Sequence, residues 1–164
     1  MALGEILNIS FEFSSKVGTR QLPHLDKNYQ SNIKGLYIVG DLADAPVIKI
    51  ALNQGFDVVS RMFENDFGGK VPEQKDGVID VCIVGAGPSG VGAALACQKH
   101  GLSFEVIERE KPFNTIQNYP KHKHVFSEPR DFGNSARFPF QDRVKEDLVV
   151  EWELFVPDAI RADR

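Results

Sequence analysis

Residues 80–90 read Asp-Val-Cys-Ile-Val-Gly-Ala-Gly-Pro-Ser-Gly, residue types and a spacing suited to gripping a diphosphate. Gly85 permits a tight turn, Gly87 lets backbone approach the anion, and Gly90 lets a following helix pack close to the preceding strand. Pro88 and Ser89 lie between the last two glycines, ahead of a helix whose first N–H groups and positive dipole end attract negative charge. Glu108 closes a second apolar run, where a carboxylate can accept hydrogen bonds from both ribose hydroxyls, and Arg109 follows it. Glycine spacing alone is weak. Here a strand precedes it, a helix and a second strand follow, and an acid stands about 20 residues on, which makes it a dinucleotide fingerprint in a βαβ context.

The elements that position these groups are legible from periodicity. Residues 81–84 and 102–107 read as strands, and 91–100 as a small-residue helix. Upstream, 36–39 is a short apolar run between Gly35 and Gly40 and reads as a buried strand. Residues 41–46 form a turn, with Pro46 suited to the first turn of a helix. That helix covers about 47–65, with Ile48, Ala51, Leu52, Phe56, Val59, Met62 and Phe63 on its apolar face. Gly55 interrupts it at a cost of ~1 kcal/mol relative to alanine, which implies close packing or a ligand contact. Residues 5–17 alternate like a strand, and 111–142 read as ordered loop. A last helix is expected over 143–155, with Leu148, Trp152 and Phe155 on one stripe. Strand 36–39, helix 47–65 and strand 80–84 make a second βαβ unit that shares its last strand with the first. Right-handed crossovers place 36–39 and 103–107 on opposite sides of 80–84. Gly40, Asp41 and Gly85 then emerge together at the carboxyl edge of a parallel sheet flanked by helices, an α/β, Rossmann-like dinucleotide-binding fold.

The chain has 164 residues, 42% hydrophobic and 26% charged, the proportions of a soluble globular domain. A net charge of −4 gives no support to nucleic-acid binding. The apolar runs fall short of the ~20 residues that span a bilayer, and Met1-Ala-Leu-Gly-Glu5 does not resemble a signal peptide, so the expected setting is cytoplasmic. Cys82 and Cys97 are expected as small buried core residues rather than a disulfide or catalytic pair. His122 and His124 would share one face of an extended strand, but no third ligand accompanies them, so a solvated basic loop is the stronger reading and no metal is expected. Bland readings exist for the acids as well: Asp41 as a helix cap, Glu108 as a surface carboxylate.

Both halves resemble the FAD domain of thioredoxin-reductase-like pyridine nucleotide–disulfide oxidoreductases. Residues 79–126, with Thr115-Ile-Gln-Asn118-Tyr-Pro120 and Val125-Phe126-Ser127, are similar to its N-terminal segment in the bacillithiol-disulfide-reductase-like branch. Gly35-Leu-Tyr-Ile-Val-Gly40-Asp41 and Ile48-Lys49-Ile50-Ala51-Leu-Asn-Gln-Gly55 resemble the C-terminal FAD motif of that family. Val17-Gly18-Thr19-Arg20-Gln-Leu-Pro23 resembles the stretch returning from its pyridine-nucleotide domain. The resemblance implies FAD as cofactor, its ADP half on the fingerprint, and Asn118 in the segment that passes the flavin. It also implies Asp41 at the ribityl chain, with the backbone of Lys49 and Ile50 facing the isoalloxazine ring, where a helix N-terminus favours negative charge.

The departures are specific. The two motifs stand in reversed order, and the sequence holds neither a second GxGxxG nor a CxxC. The expected organisation is a C-terminal-type segment over 1–67, a linker over 68–78 and an N-terminal-type βαβ unit over 79–164, complete or truncated, together one FAD domain. Such a chain is either a permuted minimal domain or a piece cut across two modules. Its expected partners are a small-molecule cofactor and either a second copy or the remainder of a longer polypeptide. The expected function is to hold FAD within an NAD(P)H-dependent oxidoreductase that reduces a disulfide or another acceptor, with NAD(P)H entering only if a missing domain or partner supplies its site. The alternatives are an NAD(P)-binding dehydrogenase or flavin monooxygenase domain, and a non-catalytic nucleotide-binding module.

Overall fold

The computed structural model describes residues 22–157 and Ile160. The strand reading of 5–17, and all but the last two residues of the stretch 17–23, lie outside these residues. The first long element is helix α1, Ile48–Asn65. Pro46 falls before it rather than in its first turn, since Val47 in extended conformation is the N-cap. Strand β1, Val81–Val84, then leads through a glycine turn into helix α2, Pro88–His100, and back to strand β2, Phe104–Ile107. The strands pair in parallel, Val81 beside Phe104 and Val84 beside Ile107. A parallel pair needs a crossover of this kind, because a tight hairpin cannot reverse the chain twice. The result is a Rossmann-like α/β unit with helices packed on its sheet.

Helices α1 and α2 meet through glycines. A Cβ on Gly55 would lie 1.9 Å from the Ser89 carbonyl oxygen, and one on Gly92 would lie 2.0 Å from the Leu52 carbonyl oxygen. Each helix therefore offers a bare Cα to a carbonyl of the other. Leu52, Phe56 and Val59 of α1 join Val91, Ala94 and Cys97 of α2 and Val81, Ile83 and Val106 of the sheet in one core.

The sequence places a strand at 36–39 beside β1, and the structure does not. Residues 36–38 bond back on 29–31 instead: Ser31 N–H donates to the Leu36 carbonyl at 2.8 Å and Ile38 N–H to the Tyr29 carbonyl at 3.0 Å. Tyr37 pairs with Gln30 in an isolated antiparallel bridge, and its hydroxyl donates to Asp66 beyond the end of α1. Burial, then the Asp66 carboxylate, push the Tyr37 phenol up to about 12. The local hairpin satisfies the backbone groups that pairing with β1 would have used. The reading of Cys82 as buried is corrected on related grounds. Burial alternates along β1, with Val81 and Ile83 inside and Cys82 and Val84 outside, because the described helices cover one sheet face. Cys97 is fully buried, and burial pushes its thiol up to about 12.

Beyond β2 the chain forms a short helix α3, Asn114–Gln117, an antiparallel pair of β3, His124–Val125, with β4, Arg143–Val144, and helix α4, Lys145–Glu153. Trp152 is fully buried, with ring centroids of Phe113 at 4.8 Å, Phe140 at 5.2 Å and Phe138 at 5.7 Å. Leu148 shares its burial, but Phe155 lies past the end of α4 and is half exposed, so the predicted stripe is two residues long. Lys145 is buried and donates from Nζ to the carbonyls of Gln117, at 2.7 Å, and Tyr119, which closes the C-terminal end of α3 with a cation. His122 adopts φ 59°, so it does not share an extended strand face with His124. No helix among the described residues is long and apolar enough to cross a membrane, and no cluster of three metal-ligating residues occurs among them.

Candidate functional site

The site grows from the end of β1. Gly85 has φ +95°, a left-handed turn that glycine makes without strain. Its N–H continues the sheet ladder by donating to the Ile107 carbonyl at 2.8 Å. Ala86 is gripped from both sides: its N–H donates to Glu108 Oε2 at 2.7 Å and its carbonyl accepts from Phe113 N–H at 2.9 Å. Gly87, the N-cap of α2, is extended, makes no side-chain cap bond, and is followed by Pro88 in the first turn. A Cβ on Gly87 would meet no atom within 4 Å, whereas one on Gly90 would lie 1.9 Å from the Gly85 carbonyl oxygen. Gly90 is thus consumed by helix–turn packing, and Gly87 opens onto free space at an uncapped helix start.

That space is a groove of about 190 Å³ whose walls include Gly87, Pro88, Glu108, Arg109, Phe113 and Asn114. Glu108 accepts from Ala86 N–H through Oε2 and from Glu110 N–H through Oε1. Partial burial opposes its ionisation, but backbone donors from Ala86, Glu110 and Arg109 outweigh it and hold the carboxyl below its ordinary 4.5. An ionised carboxylate so anchored keeps a lone pair on each oxygen for a hydroxyl in the groove. Arg109 is almost wholly exposed and pairs with Glu110 at 3.5 Å. The uncapped first turn of α2 can hold an anion, and Glu108 beside it can hold a diol.

The second motif reaches the same place by an unexpected route. Gly40 begins a 3₁₀ turn, Gly40–Ala43, in which Asp41 is exposed. A Cβ on Gly40 would lie 2.5 Å from Ser89 Oγ. Contact with the start of α2, and not strand pairing, brings Gly40 and Asp41 to the fingerprint. Lys49 donates from Nζ to the Pro129 carbonyl at 2.8 Å, Ile50 is half-buried beside it, and Asn118 Nδ2 donates to Asn114 Oδ1 at 3.2 Å. None of Asp41, Lys49, Ile50 and Asn118 lines the groove. Phe113, Asn114 and Thr115 do, and periodicity missed them: Phe113 enters the groove because it turns the chain at φ 56°, which no residue type announces.

Residues 82–146 match the family described as pyridine nucleotide-disulphide oxidoreductase. Bacilliredoxin reductase Bdr of Bacillus subtilis is 42% identical over 45 residues, 27% of this chain and 14% of that protein. Thioredoxin reductase of Mycoplasma pneumoniae is 40% identical over 58 residues, 31% of this chain and 18% of its own length. Residues 82–146 are thus similar to pyridine nucleotide-disulphide oxidoreductases and, over shorter stretches, to thioredoxin-reductase-like relatives. FAD-dependent oxidoreductase domain-containing protein 2 of Mus musculus is 39% identical over 49 residues, 29% of this chain and 7% of that protein. The chain thus spans less than a fifth of the length of the curated relatives it matches. No solved structure matches it significantly.

The carboxylates of this α/β unit give a pH dependence of definite sign. Asp80, at the start of β1, accepts from the Ser103 N–H at 2.8 Å and from its hydroxyl at 2.7 Å. Burial raises its pKa, but the Ser103 bonds and Gln74 overcome that and hold it below 3.8. Glu108 is depressed in the same way. A folded-state pKa below the unfolded one gives stability that is fully present above the unfolded pKa and is lost as pH falls through the folded one. Melting temperature should therefore drop as pH falls from about 5 to about 3. Glu108→Gln and Asp80→Asn should each make that drop shallower in melting curves taken across the same range.

Proposed function

We propose that the chain holds FAD as the flavin-binding part of an NAD(P)H-dependent oxidoreductase of thioredoxin-reductase-like type. One observation carries the reading: Gly40, with Asp41 beside it, packs on Ser89 at the start of the fingerprint helix. A site for NAD(P) alone has no need of that second motif. The residues present suit the cofactor. Space over Gly87 and the uncapped start of α2, including Ser89 and Gly90, would receive the pyrophosphate. Glu108 would take the adenosine ribose, and Asp41 the ribityl side. The start of α1 at Lys49 and Ile50, and Asn118, would serve the flavin end. FAD, when bound, supplies the electron-transfer chemistry; these residues bind, orient and shield it. The relatives, by name an FAD-dependent protein and two reductases, support the same assignment. NAD(P)H would be the electron donor and a disulfide or similar group the acceptor, the donor site coming from the rest of a longer polypeptide or from a partner.

The test is titration of the purified chain with FAD and with NADH, followed by visible absorbance and flavin fluorescence. FAD should bind in preference. Tight NADH binding without FAD would favour a plain NAD(P)-dependent dehydrogenase domain and sink the proposal. A paired substitution assigns the ends. Asp41→Ala should weaken FAD about tenfold more than AMP, a difference of ~1.4 kcal/mol, whereas Glu108→Ala should weaken both alike. Equal losses at Asp41 would reduce it to a helix cap.

A further inference from the structure

Gln54 sits in the middle of α1 and is only 8% exposed. Buried glutamine is uncommon, and a buried amide needs a partner. Its partner is a particular one: Gln54 Oε1 accepts the N–H of Gly40. Gly40 is the first residue of the 3₁₀ turn, so no carbonyl of that turn is available to its N–H. The turn's other end is closed by its own backbone, with Ala45 N–H donating to the Gly40 carbonyl at 3.0 Å. Gly40 also stands at φ +77°, where a glycine is not confined by its own sterics. Its direction is therefore imposed from outside, by Ser89 against its Cα and by Gln54 on its N–H. The next residue along α1, Gly55, packs on the Ser89 carbonyl. Residues 54 and 55 thus hold the two motifs at one joint, Gln54 the Gly40 turn and Gly55 the fingerprint helix.

We infer that Gln54 is a positioning residue for the flavin side of the site: through the Gly40 N–H it fixes where Asp41 stands relative to the start of α2. This rests on the reading of the site as an FAD site. Gln54 touches no ligand in this scheme, so it should affect the ligand that reaches Asp41 and spare the one that stops at Glu108.

The experiment measures FAD and AMP affinity and thermal unfolding for wild type, Gln54→Met, Gln54→Glu, Asp41→Ala and the Gln54→Met/Asp41→Ala double variant. Methionine keeps length and volume but cannot accept the Gly40 N–H, whereas glutamate keeps an acceptor oxygen in either protonation state. Gln54→Met should lose FAD affinity about tenfold and AMP affinity less than about twofold. Gln54→Glu should recover most of the FAD loss. In the Asp41→Ala background, Gln54→Met should cost little more, since both changes remove one coupled contact. Wild-type FAD affinity in Gln54→Met, equal losses for FAD and AMP, or additive losses in the double variant would each overturn the inference and leave Gln54 a core amide. A wild-type chain that binds AMP but no FAD refutes the FAD reading itself, which is a separate outcome.

Discussion

Valine at position 87 is expected to abolish nucleotide binding, with affinity for FAD and AMP down at least ~100-fold, about 2.7 kcal/mol, and thermal unfolding almost unchanged. Gly87 has φ −73° and ψ −177°, extended backbone that valine adopts readily. Nothing lies within 4 Å of the Cβ it would gain, so the folded chain has room for the side chain. The same emptiness is where an anion approaches the uncapped N–H groups of α2, and two methyl groups there exclude it. The measurement is a fluorescence titration beside a melting curve. Binding within about threefold of wild type, ~0.65 kcal/mol, would show that the glycine serves the turn alone. A lowered melting temperature with proportionate loss of binding would show that the space is needed by the fold.

What the sequence made legible here follows from the range of the interactions. The β1–turn–α2–β2 unit was readable because its determinants are local: a four-residue apolar run, glycines at fixed offsets and a helix of small residues. The strand at 36–39 failed because strandness is decided by a partner, and 29–31 lies nearer along the chain than 81–84. Cys82 failed likewise, since an apolar run does not say which of its faces will be covered. Gly55 announced close packing by its cost in a helix, but nothing in the sequence named the Ser89 carbonyl as its neighbour. Gly92 stayed hidden among the alanines of α2. The meeting of Gly40 with the fingerprint was expected for the wrong reason: it arises from helix packing and a hydrogen bond from the Gly40 N–H to Gln54, not from a shared sheet. The groove wall at Phe113 and Asn114 depends on a left-handed turn and on a backbone bond to Ala86, and neither leaves a mark on composition.

The second large effect lies at the helix joint. Gly55→Ala is expected to destabilise the chain by ~2 kcal/mol or more. Helix propensity alone predicts the opposite, a gain of about 1 kcal/mol on replacing an interior glycine by alanine. The Cβ of that alanine would stand 1.9 Å from the Ser89 carbonyl oxygen, a separation that only movement of backbone can relieve. Such overpacking costs typically ~1–3 kcal/mol and occasionally more, and the clash here is against backbone on a helix whose other side is held by Gly90 on Gly85. Gly92→Ala should act alike, since its Cβ would stand 2.0 Å from the Leu52 carbonyl oxygen. In a domain of this size the loss should lower the melting temperature by roughly 4–8 °C, and a denaturant titration should show a lower midpoint at an unchanged slope. A stabilised Gly55→Ala chain would mean that α1 and α2 do not pack at this distance, and with it the approach of Asp41 to the fingerprint would fall. The contrast with position 87 separates the roles of the glycines: one should lose the ligand and keep the fold, the other should lose the joint through which the two motifs form a single site.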